Sequence, residues 1–147
     1  VTLKFLGEIS EDQRRQVEQF LPRIAAQEPP FALSVAEVGA FPSMASPRVI
    51  WVGIGEGREP LVRLADAIER EARALSFRQA EHPFSTHVTI GRVRSPRHLG
   101  AFAAHLTESR WVAPAPWRVS RIGLYQSTLN PRGPHYAVLA EVPLGPV

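Results

Sequence analysis

The chain has 147 residues, 14 prolines, 10 glycines, no cysteine and a formal net charge of +3. That length suits one domain or two small intimate lobes, and an apolar share of 44% against 21% charged excludes a disordered chain. The lack of cysteine excludes disulfides, Cys-ligated zinc and a cysteine nucleophile, and no stretch approaches the roughly 20 apolar residues of a membrane helix.

Residues 1–7, Val-Thr-Leu-Lys-Phe-Leu-Gly, alternate and read as a strand. The sequence starts inside that strand, so further residues are expected upstream. No basic-then-apolar leader opens it, and a cytoplasmic location is expected. Ser10 and Gln13 form a capping box for a helix whose apolar face is Val17, Phe20, Leu21 and Ile24, with Pro22 expected to kink or end it. Strands follow at about 31–38 and 48–54, separated by a loop with Pro42 and Pro47. A second helix starts near Pro60 with a stripe of Leu61, Leu64, Ile68, Ala72 and Leu75. A strand at 87–91 precedes a third helix, capped by Ser95 with Pro96 in its first position and Leu99, Phe102, Ala103 and Leu106 facing the core. Strands at about 117–125 and 136–142 close the chain around the turn signal of residues 130–134. The order suggests an internal duplication, and helices set between antiparallel pairs argue an α+β fold.

Lys4 is the only lysine among 17 basic residues. Residues 1–46 carry 4 basic and 6 acidic groups, whereas 78–121 carry 7 arginines against Glu81 and Glu108. An arginine-rich second half suits a phosphate-bearing ligand and equally a solvated face.

The segment Pro83-Phe84-Ser85-Thr86-His87-Val88-Thr89-Ile90-Gly91-Arg92 carries the most chemistry. Residues two apart on a strand share a face, so His87 and Thr89 are expected to point one way, about 6–7 Å apart, and Val88 and Ile90 into the core. An imidazole passes a proton near neutral pH, and a threonine hydroxyl can donate to an oxyanion. Val1–Phe5 matches Val88–Arg92 with threonine on threonine, 87 positions apart. On that alignment the residue before Val1 matches His87, and two His-x-Thr pairs across a cleft would supply an acid and a base for one phosphate. His82, His98, His105 and His135 lack metal-ligand spacing, and no Gly-Lys-Ser/Thr follows Gly53, Gly55 and Gly57. Glu11/Asp12 and Glu69/Glu71 read as solvated helix faces, so neither metal nor cofactor is expected.

Thr2–Gly7 and His87–Arg92 resemble the paired motifs of the 2H phosphoesterase superfamily, and within it the RNA 2',3'-cyclic phosphodiesterases, formerly called 2'-5' RNA ligases. Phe41-Pro42 with Pro47–Gly53 is similar to that family's middle strand region. Leu124–Ser127 with Gly133 and Tyr136 is similar to its C-terminal signature, so the resemblance covers nearly the whole chain. It implies two lobes of duplicated antiparallel sheet with helices outside, around a central groove. Residues 1–147 then form a single bilobal phosphoesterase domain that lacks the family's N-terminal strand and first-motif histidine.

The resemblance implies metal-independent hydrolysis of an RNA terminal 2',3'-cyclic phosphate to a 2'-phosphate. His87 would be the base and the upstream histidine the acid. Thr2 and Thr89 would hold the non-bridging oxygens, and Arg92 would offset the phosphate charge. Strict alternation puts Arg92 on the Val88 side, so the strand is expected to bend at Gly91. The alternatives are 2'-5' RNA joining, the reverse transesterification, and an RNA-binding module without turnover. A molecule that began at Val1 would lack half of the acid–base pair. The expected partners are RNA ends bearing a 2',3'-cyclic phosphate, tRNA fragments among them, with no membrane and a monomeric chain. Phe5 reads as core, Lys4 as a residue on the Thr2 face that either touches RNA or stands solvated, and Ser127 as a partner for the turn before Gly133 or, second to that, a lining of the groove. Trp51, Trp111, Trp117 and Tyr125 offer rings for base stacking or for core packing, and the sequence does not choose among them.

Overall fold

Helix α1 (Glu11–Ala25) begins where the capping box predicts. The Gln13 N–H donates to Ser10 Oγ at 3.2 Å, and the Ser10 N–H donates to Gln13 Oε1 at 2.9 Å. Pro22 does not end the helix. The last turn closes beyond it, with the Ala26 N–H donating to Pro22 O at 3.0 Å, because a proline forfeits only its own donor. Helix α2 (Arg58–Ala74) starts just before Pro60 and buries Leu61, Leu64, Ile68 and Ala72, as the stripe predicts. It terminates through Ser76 at φ 62°, with the Phe77 N–H reaching back to Ala72 O at 3.0 Å.

This computed structural model describes residues 1–95, 99–108, 112–131 and 133–145. The strand expected over 31–38 is broken at Ser34 into β1 (Phe31–Leu33) and β2 (Val35–Pro42). Ser34 there exchanges backbone bonds with Gly55 and Glu56 and accepts the Glu56 N–H on its hydroxyl. β3 (Pro47–Ile54), β4 (His87–Arg92) and α3 (Leu99–Glu108) follow. The strand expected over 117–125 is broken at Ser120 into β5 (Trp117–Val119) and β6 (Arg121–Asn130), which turns into β7 (Gly133–Pro143). Gly133, at φ 127°, supplies a conformation that L side chains avoid. The sheets are β2–β3–β4, β6–β7 and the small pair β1–β5. The antiparallel ladders with intervening helices give the expected α+β class. No helix among the described residues is long and apolar enough to cross a membrane.

Residues 1–7 are not a strand. Alternation makes a strand only where a neighbour completes its backbone ladder, and none does so among the described residues. Leu3, Leu6 and Ile9 pack against the core instead, while Phe5 is 81% exposed and is not a core residue. Lys4 does not stand free on a Thr2 face. Its side chain is only 5% exposed, and its ammonium donates to the Glu69 carboxylate and to Arg78 O at 3.0 Å.

The chain divides into two compact units. One comprises Val1–Thr2, Ala32–Arg58 and Ser85–Trp117. Its β2–β3–β4 sheet buries Ile50, Val52 and Ile54, with Val35 and Ala40 opposite them. From α3, Ala103 is buried, but Phe102 is 41% exposed and does not face the core as expected. The expected helix start at Pro96 and the side chains of Leu99 and Leu106 lie outside the described residues. The other unit comprises Leu3–Phe31, Glu59–Phe84 and Arg118–Val147. Its core joins Val17, Phe20 and Ile24 of α1, Leu64 and Ile68 of α2, and Ile122 and Leu124 of β6. Each large side chain so buried contributes about 1.5–3 kcal/mol. Glu28 is buried with them and accepts from Arg63 Nε at 2.9 Å and from its Nη2.

Candidate functional site

The β3–β4 ladder decides which side chains share a face. His87 lies opposite Gly53, Val88 opposite Val52, and Thr89 opposite Trp51. Gly91 is then opposite Ile50 and Arg92 opposite Val49, so Ile90 is an extra residue with no partner. Directly opposed residues share a face, and Val49, Trp51 and Gly53 all lie on the side away from buried Ile50 and Val52. His87, Thr89 and Arg92 therefore line one face. The expected change of direction occurs, but as a β-bulge at Ile90 rather than a bend at Gly91. The bulge also explains why Ile90, expected in the core, is 58% exposed.

The imidazole of His87 is fixed locally. Its Nδ1 lies 2.9 Å from Ser85 O, and its backbone N–H donates to the same carbonyl at 2.9 Å. With Nδ1–H donating to that carbonyl, Nε2 keeps the lone pair and can accept a proton. Phe41 and Trp51 surround the ring. Phe41 meets it edge-on, with centroids 5.4 Å apart, and Trp51 at 6.2 Å. Trp51 lies over Gly39, its cross-strand neighbour, where a Cβ would fall 2.2 Å from Trp51 Cζ2. Trp51 Nε1 is buried without a hydrogen-bond partner among the described residues. Glu37 extends over Gly53 on this same face, with its Cγ 2.8 Å from where a Cβ would stand. The sequence reading missed the Ser85 carbonyl, Glu37 and the role of Phe41. Only the glycines at 39 and 53 hinted that large side chains would lie across these strands.

Thr2 belongs to the same unit as His87 and is exposed. Arg92 is exposed and pairs with no acidic side chain among the described residues. Ser127 lies opposite Tyr136, three ladder rows before the Asn130–Gly133 pair, about 10 Å from the turn it was expected to serve. Trp117 is exposed at the start of β5, and Trp111 lies outside the described residues. Tyr125 folds over Gly123, and its hydroxyl donates to Glu141 Oε1 at 3.1 Å. Arg121 Nη1 donates to Glu141 Oε2 at 3.0 Å. Arg121, then Tyr125, holds the Glu141 carboxyl below its ordinary value, and the bond to Glu141 raises the Tyr125 phenol above its own. His82, His105 and His135 are exposed, and His98 lies outside the described residues. Among the described residues no three His, Asp or Glu side chains gather as a metal site.

Residues 1–131 match the family described as the 2'-5' RNA ligase superfamily. A protein of Aeropyrum pernix named RNA 2',3'-cyclic phosphodiesterase is 37% identical over 97% of this chain and 80% of its own length. One of the same name from Archaeoglobus fulgidus is 37% identical over 92% of this chain and 74% of its own. A crystal structure of a Thermus thermophilus protein superposes with a TM-score of 0.78 at 28% identity, covering 97% of this chain and 76% of the other.

Proposed function

The chain belongs to the 2'-5' RNA ligase superfamily, and we propose that it opens the 2',3'-cyclic phosphate at an RNA end by hydrolysis, with His87 as the base. The observation that carries this reading is the His87 imidazole, held through Nδ1 by the Ser85 carbonyl on a face shared with Thr89 and Arg92. Nε2 takes a proton from water as the water oxygen bonds to phosphorus. The bond from phosphorus to the 3' oxygen breaks, that oxygen is protonated, and the phosphate stays on the 2' oxygen. Thr89 and Thr2 donate to the non-bridging oxygens, and Arg92 offsets the charge that builds on them. By the internal match of Val1–Phe5 with Val88–Arg92, the acid that protonates the 3' oxygen belongs at the position before Val1, beyond this sequence. No step requires a metal or a cofactor. The enzyme acts as a monomer on cyclic-phosphate RNA ends, tRNA fragments included, in the cytoplasm.

The superfamily's description favours one second reading, joining through a 2'-5' bond. There a 5'-hydroxyl replaces the water and no further residue is needed.

The test uses the full-length protein and a short RNA ending in a 2',3'-cyclic phosphate, incubated in EDTA, with the product phosphate located afterwards. A 2'-phosphate supports the reading. A 3'-phosphate or a requirement for added metal overturns the mechanism. Binding without opening demotes the protein to an RNA-binding module. A longer RNA with a 2'-5' linkage, formed when a 5'-hydroxyl strand is supplied, favours joining.

A further inference from the structure

Resting on that reading, we propose that Arg94 binds the phosphodiester on the 5' side of the terminal nucleotide, so that the site selects a cyclic phosphate at the end of an RNA strand over the same group on a free nucleoside. The β3–β4 ladder runs one row beyond Arg92, where the Val93 N–H donates to Arg48 O at 2.9 Å. Alternation through that row leaves Val93 half-buried on the Ile50 side and returns Arg94, exposed, to the face of His87, Thr89 and Arg92. Arg92 and Arg94 are two residues apart, about 6–7 Å along the strand. Successive phosphates of an RNA strand are separated by a similar distance. With the cyclic phosphate at His87, Thr89 and Arg92, the next phosphate of the strand falls at Arg94.

The charge on this face is one-sided. Glu37 lies over Gly53 in the His87 row, and Arg94 extends the other end, beyond the Val49–Arg92 row. No acidic residue occurs between Glu37 and Glu56 or between Glu81 and Glu108. The segments that meet at the Arg94 end of β3 and β4 therefore carry Arg48, Arg92 and Arg94 and no carboxylate. Arg94 makes no ion pair among the described residues, whereas Arg14, Arg23, Arg63, Arg78 and Arg121 each hold a carboxylate elsewhere. A guanidinium without an internal partner keeps its donors for a phosphate. A polyanion laid on this face is drawn toward Arg94 and away from Glu37, which sets the direction in which the RNA strand leaves the histidine.

The test compares Arg94→Ala with the wild type, both full-length, on a nucleoside 2',3'-cyclic phosphate and on the same compound carrying a methyl phosphodiester on its 5' oxygen. The two probes share base and sugar and differ by one phosphate. The wild type should prefer the 5'-diester probe through KM, and in the variant that preference should shrink roughly 3- to 30-fold. Arg94→Lys should keep part of it, and added salt should erode it in the wild type more than in Arg94→Ala. An equal loss on both probes would overturn the proposal, as would a wild type without the preference. Arg48 is exposed at the same end of the sheet, on the Val93 side. An equal fall of the preference in Arg48→Ala would overturn the assignment to Arg94 and leave a diffuse basic field. Calorimetric titration with the nucleoside 2'-phosphate, with and without the 5' diester, reads the contact without turnover. Tighter binding of the diester form, lost in Arg94→Ala, supports the contact even if the wild type opens neither cyclic probe, the result that would sink the hydrolysis reading alone. Equal affinity of the wild type for the two ligands overturns the Arg94 proposal.

Discussion

The β2–β3–β4 sheet and the β6–β7 sheet are built with the same two devices and put them to different ends. Each has a bulge: at Ile90 in β4, and at Leu139 in β7 between the Tyr125–Val138 and Leu124–Ala140 pairs. Each also lays an aromatic ring over a glycine, Trp51 over Gly39 and Tyr125 over Gly123. In the β6–β7 sheet the polar tip of that ring is satisfied, since Tyr125 donates to Glu141 and Glu141 also accepts from Arg121. In the other sheet Trp51 Nε1 finds no partner among the described residues, and its ring instead backs a histidine whose Nδ1 is occupied and whose Nε2 is left to accept a proton. A satisfied network holds a hairpin in shape, whereas a fixed imidazole on an open face can do chemistry.

The widest gap between the sheets should appear when each loses its central group. His87→Ala should lower kcat/KM roughly 10²- to 10⁴-fold, the span of a positioned proton acceptor. Tyr125→Phe should leave kcat/KM within a few-fold and cost about 1 kcal/mol of stability, the worth of one hydrogen bond. Comparable kinetic losses in the two variants would mean that both sheets serve the reaction. Arg92 gives the next largest effect. Arg92→Ala should cost roughly 10²-fold in kcat/KM, as for the loss of one donor to a developing oxyanion. Deleting Ile90 removes the unpaired residue and leaves Arg92 opposite Val49, on the face of His87 and Thr89. The deletion should therefore cost less than Arg92→Ala. A loss as large as that of Arg92→Ala would show that the bulge itself sets the reach of Arg92.

Much of the fold could be read from local patterns. The Ser10–Gln13 box and the Leu61–Leu64–Ile68–Ala72 stripe are each written within a few residues, and both helices form as read. The shared face of His87 and Thr89 follows from the two-residue period alone. Arg92 does not, because its side depends on the pairing register of β3 with β4, which no single segment encodes. Ile90 reads as core by hydropathy, yet an unpaired extra residue has no inward position to fill. Residues 1–7 alternate like a strand but lack a ladder partner among the described residues, which leaves Phe5 outside and puts Lys4 into an ion pair. The carbonyl that orients His87 belongs to the backbone of Ser85 and leaves no trace in a side-chain pattern.

The two glycines sharpen the contrast with a smaller effect. In Gly39→Ala the new methyl would stand 2.2 Å from Trp51 Cζ2, so the indole must move, and it packs against both Phe41 and His87. Displacing the imidazole by even about 1 Å can cost up to roughly 10²-fold in rate. In Gly123→Ala the methyl would stand 2.6 Å from Tyr125 Cε2. That ring can swing aside, so the cost should fall on stability, about 1–2 kcal/mol from overpacking and a weakened bond to Glu141. Steady-state kinetics and thermal unfolding of the pair should therefore separate, with the rate defect on Gly39→Ala. A rate defect confined to Gly123→Ala would reverse the assignment of roles.

The smallest effect concerns pH, and it belongs to the unit whose polar groups are satisfied. Lys4 anchors the N-terminal segment to α2 through Glu69. The bond from Lys4 holds the Glu69 carboxyl below its ordinary value of 4.5, the Ala80 N–H at 3.2 Å and the Arg73 charge add to it, and partial burial opposes them. A carboxyl with a lower pKa folded than unfolded stabilises the fold above its unfolded value. That contribution is lost as pH falls through the folded value. The pair is partly exposed and screened, so about 0.2–1 kcal/mol is expected at pH 7, a shift on the order of 1–3 °C in Tm. Glu69→Gln should therefore melt below the wild type at pH 7, and the gap should close as pH drops below about 4. Lys4→Met removes the main cause of the shift and should show the same convergence. A gap that stays constant down to pH 3 would mean that Glu69 titrates as it does in the unfolded chain. Its bond to Lys4 would then position the segment without stabilising the fold through charge.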